Sequence, residues 1–103
     1  MRTLAELPIA IDAKGIARFC RAHGVRRLAL FGSVLREDFA RDSDIDVLVE
    51  YLPGRHPGLM LFRQQDELAA QLGHAVDLHT PLSLSRHFRD EVLSEALPLY
   101  EQA

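Results

Sequence analysis

A chain of 103 residues holds one modest hydrophobic core and leaves no room for a second, so residues 1–103 read as one domain. With 48% apolar and 26% charged residues it has the balance of a globular protein, and no apolar run reaches the roughly 20 residues that cross a bilayer. The formal charge is −3 and the basic residues are scattered, with Lys14 the only lysine, which argues against the positive field of a non-specific nucleic-acid binder.

The opening MRTLAELPIA has one Arg and no long apolar stretch, which speaks against a secretion signal. Asp12 is placed to cap a first helix whose inner face carries Ile16, Phe19 and Cys20, and Gly24 is its natural stop. Gly15 weakens the start of that helix by about 1 kcal/mol relative to Ala. Cys20 is the only cysteine, so no internal disulfide forms, as suits a reducing, cytoplasmic setting. Arg27 to Phe31 reads as a short buried strand that runs into Gly32-Ser33, and a helical turn is expected over Val34 to Glu37.

Ile45 to Tyr51 reads as a second strand, apolar on both faces and therefore central. The stretch YLPGRHPG is a loop by composition. Leu59 to Leu72 is expected to be a helix with Leu61, Leu68 and Leu72 inward and Gly73 as its stop. Ala75 to Thr80 reads as a third strand. Ser83 or Ser85 would cap a last helix with Leu84, Phe88, Val92 and Ala96 as its apolar stripe; Pro98 ends it, and Leu99-Tyr100 packs back on the body. Three strands and three helices in the order α-β-β-α-β-α close a two-layer α/β core.

Chemistry concentrates in four features. Gly32-Ser33 ends the first strand, and ten residues later Asp44 and Asp46 bracket Ile45 at the start of the second. Asp77 sits within the third. Residues i and i+2 of a strand share a face, so Asp44 and Asp46 lie side by side. Two such carboxylates resist joint ionisation unless a cation lies between them, and hard divalent ions such as Mg²⁺ favour carboxylate and phosphate oxygens. Two ions about 3.5–4 Å apart stabilise both the attacking and leaving oxygens of a displacement at phosphorus.

If Val76 and Leu78 face the core, Asp77 faces the opposite side; were the third strand beside the second, it would complete a three-carboxylate site suited to activating a nucleophile. Gly32, without a Cβ, lets the backbone approach a phosphate, and Ser33 offers a hydroxyl and an N–H at the mouth of a helical turn. Arg36, one turn on, has the reach to join them.

Each feature has a blander reading by itself. A DxD motif is often a solvated turn, and Gly-Ser after a strand is usually a turn. Asp77 is harder to dismiss, because a buried charge costs free energy unless it is paired or bound to metal. The five histidines show no metal-ligand spacing, and His79, two residues beyond Asp77, reads as a polar edge residue.

LFGS, ten residues, then DIDVLV resembles the DNA polymerase β-type nucleotidyltransferase superfamily. The small size, Arg36 in the loop, Val-Asp-Leu around Asp77 and the ending SLSRHFRDEVLSEALPLYE resemble its minimal, MntA-like branch, from about Ile16 onward. The resemblance implies a three-stranded mixed sheet in order 1-2-3. It implies Asp44 and Asp46 as ligands of two Mg²⁺ ions, Asp77 as the third catalytic carboxylate, and Gly32 and Ser33 on the triphosphate of ATP. It further implies a HEPN-domain toxin as partner, neutralised by transfer of AMP to a tyrosine. This chain departs from the branch at Glu37, where many relatives carry Gly, and at His79, where relatives often carry an apolar residue.

Two other functions compete. One is an antitoxin that neutralises its partner by complex formation alone, in a homo- or hetero-oligomer. The other is nucleotidyl transfer to a small molecule, which is disfavoured because no second domain builds an acceptor pocket.

Overall fold

From Ile45 to Val49 every residue but Asp46 is buried, as expected of a strand with neighbours on both sides and cover on both faces. In the computed structural model, which describes residues 2–102, this run lies in β2 (Ile45–Tyr51). β1 (Val25–Phe31) pairs with it antiparallel, and β3 (Val76–His79) pairs with it parallel on its other side. The sheet is thus mixed, as expected, and β2 is interior.

The sheet has four strands rather than three. Leu97–Glu101 forms β4, antiparallel to β1, and the order is β3-β2-β1-β4. Leu99 and Tyr100 do pack against the core, as expected, but within a paired strand: the last helix has already ended at Glu95, and Pro98, expected to end it, lies inside β4. Proline cannot donate to a ladder, which bars it from an interior strand but not from an edge strand, and β4 is an edge. Pro98 stands opposite Ala29, beside an irregularity between Leu28 and Ala29 where the register shifts.

Three helices accompany the strands: α1 (Ala13–His23) leads into β1, α2 (Met60–Leu72) joins β2 to β3, and α3 (Arg89–Glu95) lies between β3 and β4. Gly24 and Gly73 close α1 and α2 as expected, donating to the carbonyls of Cys20 and Ala69. Gly15 is buried within α1, and Gln71 of α2 donates to its carbonyl at 3.3 Å. α1 and α2 cover one face of the sheet. There Leu28 and Leu30, Ile45, Val47 and Val49, and Val76 and Leu78 join Ile16, Phe19, Cys20, Leu68 and Leu72 in one cluster. Each such side chain contributes roughly 1.5–3 kcal/mol on full burial, so this face carries most of the drive to fold.

The opposite face is covered too, since Ala29 and Leu48 are fully buried yet stand outside that cluster. A 3-10 turn, Pro81–Ser83, follows β3 and lies against β2. The last helix starts later than the sequence suggests, at Arg89 rather than near Ser83 or Ser85. Thr80 and Ser83 bond each other around the 3-10 turn, and Leu84 is extended. Arg89 then donates from Nε to the Pro81 carbonyl (2.7 Å) and from Nη2 to the Leu84 carbonyl (3.1 Å), satisfying acceptors a helix would have used. Among the described residues no helix is long and apolar enough to cross a membrane.

Candidate active site

The alternation that buries Val47 and Val49 against the helices turns Asp46 to the other face. Register does the rest. Across the parallel pair Asp46 stands opposite Asp77 and Leu48 opposite His79; across the antiparallel pair Asp46 stands opposite Phe31. Both conditions on which the sequence made Asp77 depend are met: β3 lies beside β2, and Val76 and Leu78 are buried in the core.

Three side chains converge. Nε2 of His79 lies 3.4 Å from Oδ2 of Asp77 and 3.7 Å from Oδ1 of Asp46. Each of the three residues offers a donor atom within 4.8 Å of the others, the group among the described residues spaced to hold a metal ion. The His79 ring is steadied by Phe31, whose centroid lies 5.5 Å away in an edge-on arrangement.

Burial holds the Asp46 carboxyl above its ordinary range, and His79 pulls the other way. Asp77 and Asp44 add repulsion. An anion held in this way gains from a cation beside it.

Gly32 opens a 3-10 turn (Gly32–Leu35) with φ 77°, and a Cβ there would collide with the Asp46 carboxylate. Only glycine lets backbone and carboxylate share that space without strain. Asp44 precedes β2 by one residue and is exposed; it stands outside the triplet, and its charge is felt at Asp46. Ser33 is half-buried in the turn, where its carbonyl accepts the Arg36 N–H at 2.9 Å. Arg36 is exposed. Its main chain is held from the N-terminal segment: the Arg2 N–H donates to Leu35 and Arg2 Nε to the Arg36 carbonyl, both at 3.1 Å. Beside the turn a cleft of about 230 Å³ separates Gly32 and Arg36 from Phe88, Glu91 and Glu95.

His79, a polar edge residue by sequence, is within reach of both carboxylates; its i+2 spacing from Asp77 is the signal that puts it on their face. Arg2 carried no signal, because its bonds run to main-chain carbonyls that any sequence would supply.

The donor set suits a divalent ion. Metal–ligand bonds of about 2.1 Å put two ligands about 3 Å apart at right angles and about 4.2 Å apart when opposed. The two imidazole–carboxylate separations, 3.4 and 3.7 Å, fall between these.

The same fold occurs in a solved protein inferred to be a minimal nucleotidyltransferase: TM-score 0.69, 36% identity, over 84% of this chain and 87% of that one. Residues 13–100 match the nucleotidyltransferase domain family, and the chain belongs to it. It is a nucleotidyltransferase. Its sequence is 41% identical over 75 residues to a Methanocaldococcus jannaschii protein inferred to be a protein adenylyltransferase, covering 73% of this chain and 80% of that one. It is 39% identical over 75 residues to the protein adenylyltransferase MntA of Thermococcus cleftensis, covering 72% and 74%. A toxin–antitoxin complex solved with AMP-PNP contains a chain of the same fold, at TM-score 0.66 and 24% identity over 89% of this chain and 75% of that one.

Proposed function

We propose that this nucleotidyltransferase moves AMP from ATP to a tyrosine of a HEPN-type toxin and thereby serves as that toxin's antitoxin. The observation that carries the reading is the pairing of Asp46 with Asp77 across adjacent strands, with the Gly32 backbone packed against Asp46. The name of the Thermococcus relative supports protein adenylylation. A fold neighbour described as an MNT antitoxin in complex with a tri-AMPylated Shewanella oneidensis HEPN toxin supports the partner.

In this reading Asp44, Asp46 and Asp77 hold two Mg²⁺ ions. Bound there, the ions would supply positive charge to the triphosphate and to the oxygens entering and leaving phosphorus. Gly32 and Ser33 offer N–H and hydroxyl donors to the phosphate oxygens, and the Arg36 guanidinium adds charge at the same turn. Asp77, with 55% of its side chain exposed against 31% for Asp46, is the carboxylate open to an incoming acceptor. It takes the proton of the tyrosine hydroxyl as that oxygen bonds to the α-phosphorus. The bond from the α-phosphorus to the bridging oxygen breaks, and pyrophosphate leaves. A phenol, with a pKa of about 10, gives up its proton far more readily than an aliphatic hydroxyl. Catalysis is then chiefly positioning and charge stabilisation.

Intact mass spectrometry of the chain with Mg²⁺, ATP and the product of its neighbouring gene tests this. An adenylyl-sized increase is expected on the partner, and Asp44→Asn or Asp46→Asn should reduce it about a thousandfold or more. Full transfer by either variant would remove that carboxylate from the site. A partner silenced in a stable complex, with no mass increase, would replace the enzyme reading with neutralisation by binding.

A further inference from the structure

We propose that His79 is a direct nitrogen ligand of the ion held between Asp46 and Asp77, and that it shifts this site's preference from Mg²⁺ toward first-row transition ions. The inference rests on the reading of Asp46 and Asp77 as metal ligands. Strand register brings the imidazole in: His79 follows Asp77 by two residues on the edge strand, so its side chain leaves the same face.

The separations of Nε2 from the two carboxylate oxygens, 3.4 and 3.7 Å, exceed an ordinary N–H···O bond of about 2.7–3.2 Å. They lie instead between the roughly 3 Å and 4.2 Å that separate adjacent and opposed ligands of one ion, so small side-chain adjustments bring all three groups onto it. The ring is half-buried, with 27% of its side chain exposed, and Phe31 packs edge-on against it. An imidazole so restrained loses little freedom on binding a metal.

The chemical consequence follows from the donor atom. Mg²⁺ favours oxygen throughout its shell, whereas transition ions accept imidazole nitrogen readily. A nitrogen in place of a water or carboxylate oxygen therefore raises affinity for Mn²⁺ and its neighbours in the series more than for Mg²⁺.

Mn²⁺ alone, titrated into the full chain and followed by electron paramagnetic resonance, tests this without reference to turnover. Bound Mn²⁺ should show hyperfine coupling to one directly bonded nitrogen in pulsed spectra. His79→Leu should abolish that coupling and weaken Mn²⁺ binding on the order of tenfold, with Mg²⁺ affinity, read by competition, changing less than about threefold. His79→Gln, which keeps polarity and removes the imidazole, should also abolish it. Mn²⁺ bound in an Asp46-dependent way with no nitrogen coupling would overturn the role of His79 and leave the carboxylate site standing. Absence of any Mn²⁺ binding that Asp46→Asn abolishes would overturn both.

Discussion

Gly32 and Asp46 share a volume that neither could occupy if the other were different. The glycine has φ 77°, and a Cβ would meet the carboxylate. Gly54 provides the control: its φ is 81°, but nothing lies within 4 Å of where its Cβ would stand. Alanine at either position bears the left-handed backbone cost of about 1–2 kcal/mol. Only at Gly32 is Asp46 also displaced. Chemical denaturation should therefore show Gly32→Ala losing at least as much stability as Gly54→Ala. Calorimetric titration with Mn²⁺ should show weakened metal binding in Gly32→Ala alone. Equal metal affinity in the two variants would dissociate the glycine from the carboxylate.

Among the elements, β3 has the least support of the paired strands. It has four residues and one strand neighbour, and it carries both Asp77 and His79. α2 helps to hold it, through Gln65, whose Oε1 accepts the Leu78 N–H at 2.9 Å. Loss of that acceptor in Gln65→Ala should cost about 1 kcal/mol. Amide exchange at Leu78 should quicken while Val47 and Val49 on interior β2 stay protected. Unchanged exchange at Leu78 would show that the bond does not restrain the strand.

What the sequence discloses at this level follows the strength of each local signal. β2 was legible because an apolar run broken only by Asp46 has few other uses. The common face of Asp46 and Asp77 was legible as a condition, and it needed the strand order to become a fact. β4 was hidden by Pro98, whose meaning depends on whether the strand is interior or at an edge, which local sequence does not encode. The start of α3 was hidden for a related reason. The stripe from Leu84 to Ala96 has helical spacing, yet Arg89 bonds the carbonyls of Pro81 and Leu84 and sustains an irregular path instead.

Taken whole, the molecule joins its layers through polar groups as well as apolar ones. Tyr51 at the end of β2 donates to Gln64 of α2, a glutamine only 4% exposed. Burial pushes the Tyr51 phenol up to about 12, with Cys20 contributing, and burial pushes the Cys20 thiol up to about 12 as well. Both groups are neutral when protonated, and folding favours that form. Their contribution is complete below the unfolded thiol value of about 8.5 and is lost as pH climbs toward about 12. The urea midpoint should stay level near neutrality and fall from about pH 8.5 upward. Cys20→Ala should delay the onset of the fall to near pH 10, where the phenol begins to ionise. A wild-type midpoint that is flat to pH 11 would contradict the burial of both groups.

The strand that the sequence concealed has a bearing on how the chain reaches its final form. β1 has one partner close by in the chain, β2, and a second, β4, roughly 70 positions away. Closing so long a loop carries an entropic penalty before any contact compensates it, and non-local pairing slows folding. The hairpin-like β1–β2 pair and its helices are therefore placed to assemble first, with β1 presenting an open backbone edge until β4 arrives. That interval is when another chain's strand would compete for the same row of hydrogen bonds, so the speed with which β4 docks sets the window for misassembly.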